Sequence, residues 1–126
     1  LGEWIFKQTG SEFVFVTHYP SAVRPFYAKD DPTRPGETLS FDLLFRGMEI
    51  TTGGQRIHEI TEIENKMKQR GMETKHFDFF LNAHRHGLFP HGGLGLGLER
   101  LAQKILGLNS VKEASLFPRD QSRLSP

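Results

Sequence analysis

Between Gly93 and Gly97 every second residue is glycine, and the run His91-Gly92-Gly93-Leu94-Gly95-Leu96-Gly97-Leu98-Glu99-Arg100 then changes to helical spacing. No other stretch restricts the fold so strongly. Successive side chains of a strand point to opposite faces, so Gly93, Gly95 and Gly97 share one face and Leu94, Leu96 and Leu98 the other. A face without side chains admits a flat ligand or another backbone at close range. The leucine face is expected to point into the core. Arg100 falls at the start of the next helix, where a guanidinium can meet a phosphate or stack on an aromatic ring. A dinucleotide-binding turn also spaces glycines before a helix, but it needs an apolar strand ahead of them and an acidic residue about 20 positions on. Pro90 breaks any such strand. Glycines that merely allow tight helix–strand packing are the plainer alternative.

The rest of the chain sets this segment at the end of an α+β order. Phe13-Val14-Phe15-Val16-Thr17 reads as a strand buried on both faces. Residues 28–40 carry loop chemistry, with Asp30, Asp31, Pro32, Pro35 and Gly36. Strands are expected over 41–46 and 48–55, pivoting about Gly47, and over 93–97. Ile57, Ile60, Ile63 and Met67 mark a helix near 58–70, with glutamates early, basic residues late and Gly71 as its stop. A helix near 75–86 carries Phe77, Phe80, Leu81 and His84, with Thr74 as its N-cap. A third, near 98–106, has the stripe Leu98, Leu101, Ala102, Ile105. The tail 116–126 is short and polar. Strands first and helices later predict an antiparallel β-sheet flanked by helices, not βαβ units.

The 126 residues are one domain at most, and 16 basic against 15 acidic residues do not suggest a dedicated nucleic-acid-binding module, though they leave room for a basic patch. The chain has no cysteine, hence no disulfide or thiolate metal site. No apolar run reaches membrane-span length and no signal-peptide layout is present, so a cytoplasmic location and no membrane partner are expected. The chain begins at Leu1 and reads as a piece of something longer.

Two further groups carry chemistry. Glu49 and Thr52 lie three apart in a strand, on opposite faces if it is regular; a twist or bulge at 51–53 would let both oxygens reach one Mg2+. A solvated strand glutamate is the commoner arrangement. Arg56 follows the Gly53-Gly54 pair and could grip a carboxylate bidentately, or form a surface ion pair with Glu59 or Glu62. His84, His86 and His91 suggest a zinc site, but residues 84 and 86 lie on different faces of a helix with no acidic or thiol partner close by; His91 is a possible contact to substrate or phosphate.

The glycine run followed by Arg100 resembles motif 3 of class II aminoacyl-tRNA synthetases. Glu49 to His58 resembles the aspartyl branch of that family. So do Tyr19-Pro20, Val23-Arg24-Pro25-Phe26-Tyr27, His91-Gly92-Gly93 and Ser115-Leu116-Phe117-Pro118-Arg119-Asp120, in its archaeal and eukaryotic form. The resemblance covers nearly all of residues 13–126. It implies a ligase of protein biosynthesis that activates aspartate with ATP and transfers it to the acceptor end of tRNA. Gly93, Gly95 and Gly97 would floor the ATP site. Arg100 would be catalytic and bind the γ-phosphate, Glu49 and Thr52 would hold Mg2+ on ATP, and Arg56 would bind the aspartate side chain.

The resemblance further implies that residues 1–126 are the C-terminal part of the catalytic domain, with motif 3 at about 92–106. Motifs 1 and 2 and the anticodon-binding domain would lie outside, the complete enzyme would be a homodimer, and the chain alone would be inactive. An asparaginyl enzyme or an amide-forming paralogue is the near alternative, although Gln55-Arg56-Ile57-His58 favours aspartate. A non-catalytic truncated paralogue serving as a binding domain is the distant one.

Overall fold

Among the described residues, four strands and four α-helices follow one another as α1 (Gly2–Thr9), β1 (Phe13–Thr17), β2 (Ser40–Phe45), β3 (Met48–Arg56), α2 (Ile60–Gln69), α3 (Asp78–Arg85), β4 (His91–Leu96) and α4 (Leu98–Leu106). The computed structural model describes residues 1–124; the last two residues of the polar tail lie outside them. The strands form one antiparallel sheet in the order β1-β2-β3-β4, as the α+β pattern predicts. β2 and β3 are joined through Arg46 and Gly47, both at positive φ (46° and 78°), the signature of the primed turns that match strand twist. Alternation fails once along β3, where neighbours Ile50 and Thr51 are both buried, at 4% and 6% exposure.

The chain divides into two compact units, whose boundaries fall within the strands. One comprises residues 17–41 and 53–94 and holds the apolar core. Ile57, Ile63, Met67 and Leu81 are fully buried, with Phe26, Tyr27, Ile60, Met72 and Phe77 packed around them. Each such aliphatic side chain contributes about 1.5–3 kcal/mol on burial. Phe26 sits edge-on to Tyr27, Phe77 and Phe80 at 5.4–5.7 Å. Lys66, on α2 beside Met67, is buried too, and its ammonium donates to the Ala28 carbonyl and to Asp30 Oδ1, each at 2.6 Å.

The other unit comprises residues 1–16, 42–52 and 95 onward. Phe13 stacks on Phe45 at 4.4 Å between ring centres. Arg46 is tied down by Glu12, with Nε donating to Oε1 at 2.5 Å and Nη2 to Oε2 at 3.1 Å, and Nη1 donates to the Lys104 carbonyl at 2.8 Å. These bonds hold a non-glycine residue in the left-handed region, a conformation costing about 1 kcal/mol.

Four local expectations are corrected. β1 is not buried on both faces, because it is an edge strand and Phe13 and Phe15 are exposed. Leu94, Leu96 and Leu98 are 64%, 51% and 65% exposed, so nothing among the described residues covers the face that the glycine alternation assigns to a core. In α4 the apolar stripe is largely open: Ile105 is exposed, whereas Gln103 is buried and donates to the Leu108 carbonyl at 3.2 Å. Thr74 does not cap α3 but begins a 3-10 turn over 74–77 that leads into it.

Candidate functional site

In the core-bearing unit the last strand residue, Arg56, is held by packing. A Cβ placed on Gly93 would lie 2.8 Å from Arg56 Nη2 and 3.1 Å from Cζ, so the guanidinium occupies the space that glycine leaves open. It lies 5.3 Å from the centre of the Tyr27 ring, within cation–π range. The surface ion pairs weighed for it do not form, since Glu59 approaches His58 and Glu62 takes Lys29. Among the described residues no carboxylate pairs with Arg56. It lines a cavity of about 500 Å³ together with Tyr27, Ile57, Phe80, His84 and His91.

This lie of Arg56 depends on four glycines facing one another across β3 and β4. A Cβ on Gly92 would meet the Gly54 carbonyl at 2.9 Å, and one on Gly53 would meet the Gly93 carbonyl and Leu94 Cβ, both at 2.8 Å. On the far side of β3, a Cβ on Gly54 would strike the Leu39 carbonyl at 2.7 Å. Side chains there would force the strands apart, which is a physical reason for Gly53-Gly54 opposite Gly92-Gly93.

In the other unit Arg100, on the first turn of α4, reaches back to β3. Its Nη1 donates to the Glu49 carbonyl at 3.0 Å and to Glu49 Oε1 at 3.2 Å. Both side chains are about half exposed, so the pair contributes about 0–1 kcal/mol and is readily exchanged for other partners. The aliphatic stem of Arg100 packs on Gly97, where a Cβ would lie 3.2 Å from Cδ. A Cβ on Gly95 would meet nothing within 4 Å. Thr52 does not join Glu49. Its hydroxyl donates at 2.6 Å to Oδ1 of Asp42, a carboxylate on β2 with 6% exposure.

The structure thus joins Arg56 with Gly93 in one unit, and Glu49 with Arg100 and Gly97 in the other. It gives the three alternating glycines three different surroundings. Asp42 escaped the sequence reading: it stands in an ordinary strand pattern, Ser-Phe-Asp-Leu-Leu-Phe, and only its burial sets it apart. A polar residue at a core-facing position of a strand was the available signal. His84 and His86 do part company, with His84 buried and His86 bonded to the Asn82 carbonyl at the surface.

Residues 1–121 match the family model of class II tRNA synthetases (D, K and N). The chain belongs to this family. It is 51% identical over its whole length to the aspartate–tRNA(Asp/Asn) ligase of Thermus thermophilus, of which it covers 29%. Among solved structures it resembles the aspartyl-tRNA synthetase of Entamoeba histolytica, at a TM-score of 0.94 and 36% identity over 99% of this chain and 26% of that one. It also resembles the asparaginyl-tRNA synthetase of Pyrococcus horikoshii, at a TM-score of 0.85 and 38% identity over 90% of this chain and 28% of that one. The chain therefore spans less than a third of the length of these relatives.

Proposed function

We propose that this chain is the C-terminal part of the catalytic domain of an aspartate–tRNA ligase, contributing the aspartate-side and ATP-floor residues. The observation that carries the reading is Arg56: a guanidinium fixed by Gly93 and Tyr27, lining a cavity, with no carboxylate of its own among the described residues. A held cation lacking an acidic neighbour suits an acidic side chain, which it can grip bidentately and neutralise, better than a neutral amide, which offers it one acceptor oxygen and no charge. The asparaginyl likeness stands beside it as the second reading.

In the reaction proposed, the substrate α-carboxylate attacks the α-phosphorus of ATP, giving aspartyl-adenylate and pyrophosphate, and the tRNA 3′ hydroxyl then takes the aspartyl group with release of AMP. Arg56 orients aspartate through its side-chain carboxylate. Arg100 leaves Glu49 and neutralises phosphate charge, while Gly95 offers a surface open to a flat ring. Glu49, once released, and the lone pairs of the Thr52 hydroxyl are hard oxygen donors of the kind Mg2+ takes, with Asp42 orienting that hydroxyl. Bound Mg2+ supplies charge neutralisation on the triphosphate. No three His, Asp or Glu side chains cluster as a metal site among the described residues, so waters and phosphate oxygens would complete the ligand set. No described helix is long and apolar enough to cross a membrane. A cytoplasmic homodimer acting on the acceptor end of tRNA completes the proposal.

The test is amino-acid-dependent pyrophosphate exchange in a complete ligase carrying these 126 residues. Exchange should depend on aspartate and not on asparagine. Arg56→Ala should weaken the use of aspartate by about 2–5 kcal/mol while leaving the KM for ATP nearly unchanged. Equal losses for both ligands would make Arg56 structural, and a preference for asparagine would establish the second reading.

A further inference from the structure

We infer that His84 is the positioning residue for Arg56, holding the strand end that carries the guanidinium through a hydrogen bond from its imidazole; the inference rests on the aspartate reading above. His84 is 5% exposed and lies on α3, within the apolar stripe that also carries Leu81. Its Nε2 is 3.3 Å from the carbonyl oxygen of Ile57, the residue directly after Arg56, and its Nδ1 is 3.2 Å from the carbonyl oxygen of Phe80. The Phe80 ring lies against it at 4.8 Å.

Ile57 is thereby fixed on both sides. Its amide donates to the Tyr27 carbonyl at 2.9 Å, and its carbonyl lies 3.3 Å from His84 Nε2, which donates to it in the tautomer protonated at that nitrogen. Tyr27 in turn presents its ring to the Arg56 guanidinium. Arg56 itself pairs with Ala28 as an isolated bridge, beyond which β3 has ended. Without the His84 bond the Ile57 carbonyl would be a buried acceptor at the point where the ladder stops. A flat ring of similar shape such as phenyl would also occupy this position, so ring bulk alone does not call for an imidazole. What the imidazole adds is an N–H directed at the Ile57–His58 peptide, one residue beyond Arg56.

The experiment uses the complete ligase with Arg56→Ala, His84→Phe and His84→Gln, the last restoring an N–H at the reach of Nε2. H84F is expected to raise the KM for aspartate about tenfold, with kcat and the KM for ATP within about twofold. H84Q is expected to recover most of that loss. Unchanged aspartate KM in H84F, a parallel rise for ATP, or failure of H84Q to rescue would overturn the inference while R56A remains impaired. An R56A enzyme indistinguishable from the parent would instead overturn the aspartate reading, and with it the purpose given to His84. Should H84F not fold, ring-nitrogen NMR of 15N-histidine-labelled parent ligase decides: a protonated Nε2 on His84 supports the bond, and an unprotonated one overturns it.

Discussion

The three alternating glycines look equivalent in sequence, and substitutions at them should not behave alike. Gly93→Ala drives a methyl group into the Arg56 guanidinium. It should raise the KM for aspartate as Arg56→Ala does while leaving ATP use nearly intact, read by exchange kinetics in a complete ligase. Gly95→Ala meets no neighbour within 4 Å, so the melting temperature should stay within about 1–2 °C, matching the small effect of open surface positions. If a nucleotide ring lies on Gly95, the KM for ATP should nevertheless rise, and an unchanged value would remove Gly95 from the proposed floor. Period two shows that these residues share a face; it carries no information on what stands opposite each one. That Arg56 fills the place left by Gly93 depends on a contact across 37 positions of sequence, beyond the reach of local pattern. Asp42 was hidden for a related reason, since its partner Thr52 is defined by strand register and not by spacing along one strand.

Among elements, α2 shows where local pattern misleads. Lys66 stands with Lys68 and Arg70 at the basic end that a helix dipole favours, and pattern alone puts it in solvent. It is instead drawn inward by Asp30, 36 residues earlier, fastening the 28–31 loop to the helix. Burial pushes the Asp30 carboxyl up, but the Lys66 and Ser21 hydrogen bonds and the charges of Lys66 and Arg70 outweigh it, so it stays below the usual carboxylate range. A lowered carboxylate pKa adds stability above its unfolded value and loses it as pH falls through the folded one. Lys66→Met should therefore cost about 1–3 kcal/mol near pH 7, with the gap to the parent narrowing below about pH 4, measured by denaturant melts across pH. A constant gap would mean that packing of the Lys66 stem, not the ion pair, holds the loop. Where local periodicity does govern, the reading is close: β1 spans Phe13–Thr17 and α4 Leu98–Leu106, as their patterns predict. Burial was misread for both, because amphipathicity tells which face is apolar and not whether anything lies upon it.

At the scale of the molecule those uncovered faces govern behaviour in solution. Trp4, Phe15, Leu96, Leu98 and Ile105 are each more than half exposed, and β1 leaves an open sheet edge. Contiguous apolar surface and unpaired strand edges favour association. The purified 126-residue chain should therefore sediment as an oligomer and show no aspartate-dependent pyrophosphate exchange; a catalytically active monomer would contradict both expectations. The Arg46–Gly47 turn leads to an expectation about the order in which the sheet assembles. It closes β2 on β3 through the shortest possible connection, an event on the order of 1–10 μs, whereas β4 must return after the excursion through residues 57–90. The hairpin is therefore expected to form early, with β4, bearing the glycine run, following it. Gly47→Ala, at a φ of 78°, should slow refolding while leaving the unfolding rate nearly unchanged in stopped-flow measurements. During synthesis from the N-terminus, the hairpin would form while β4 was still to be translated.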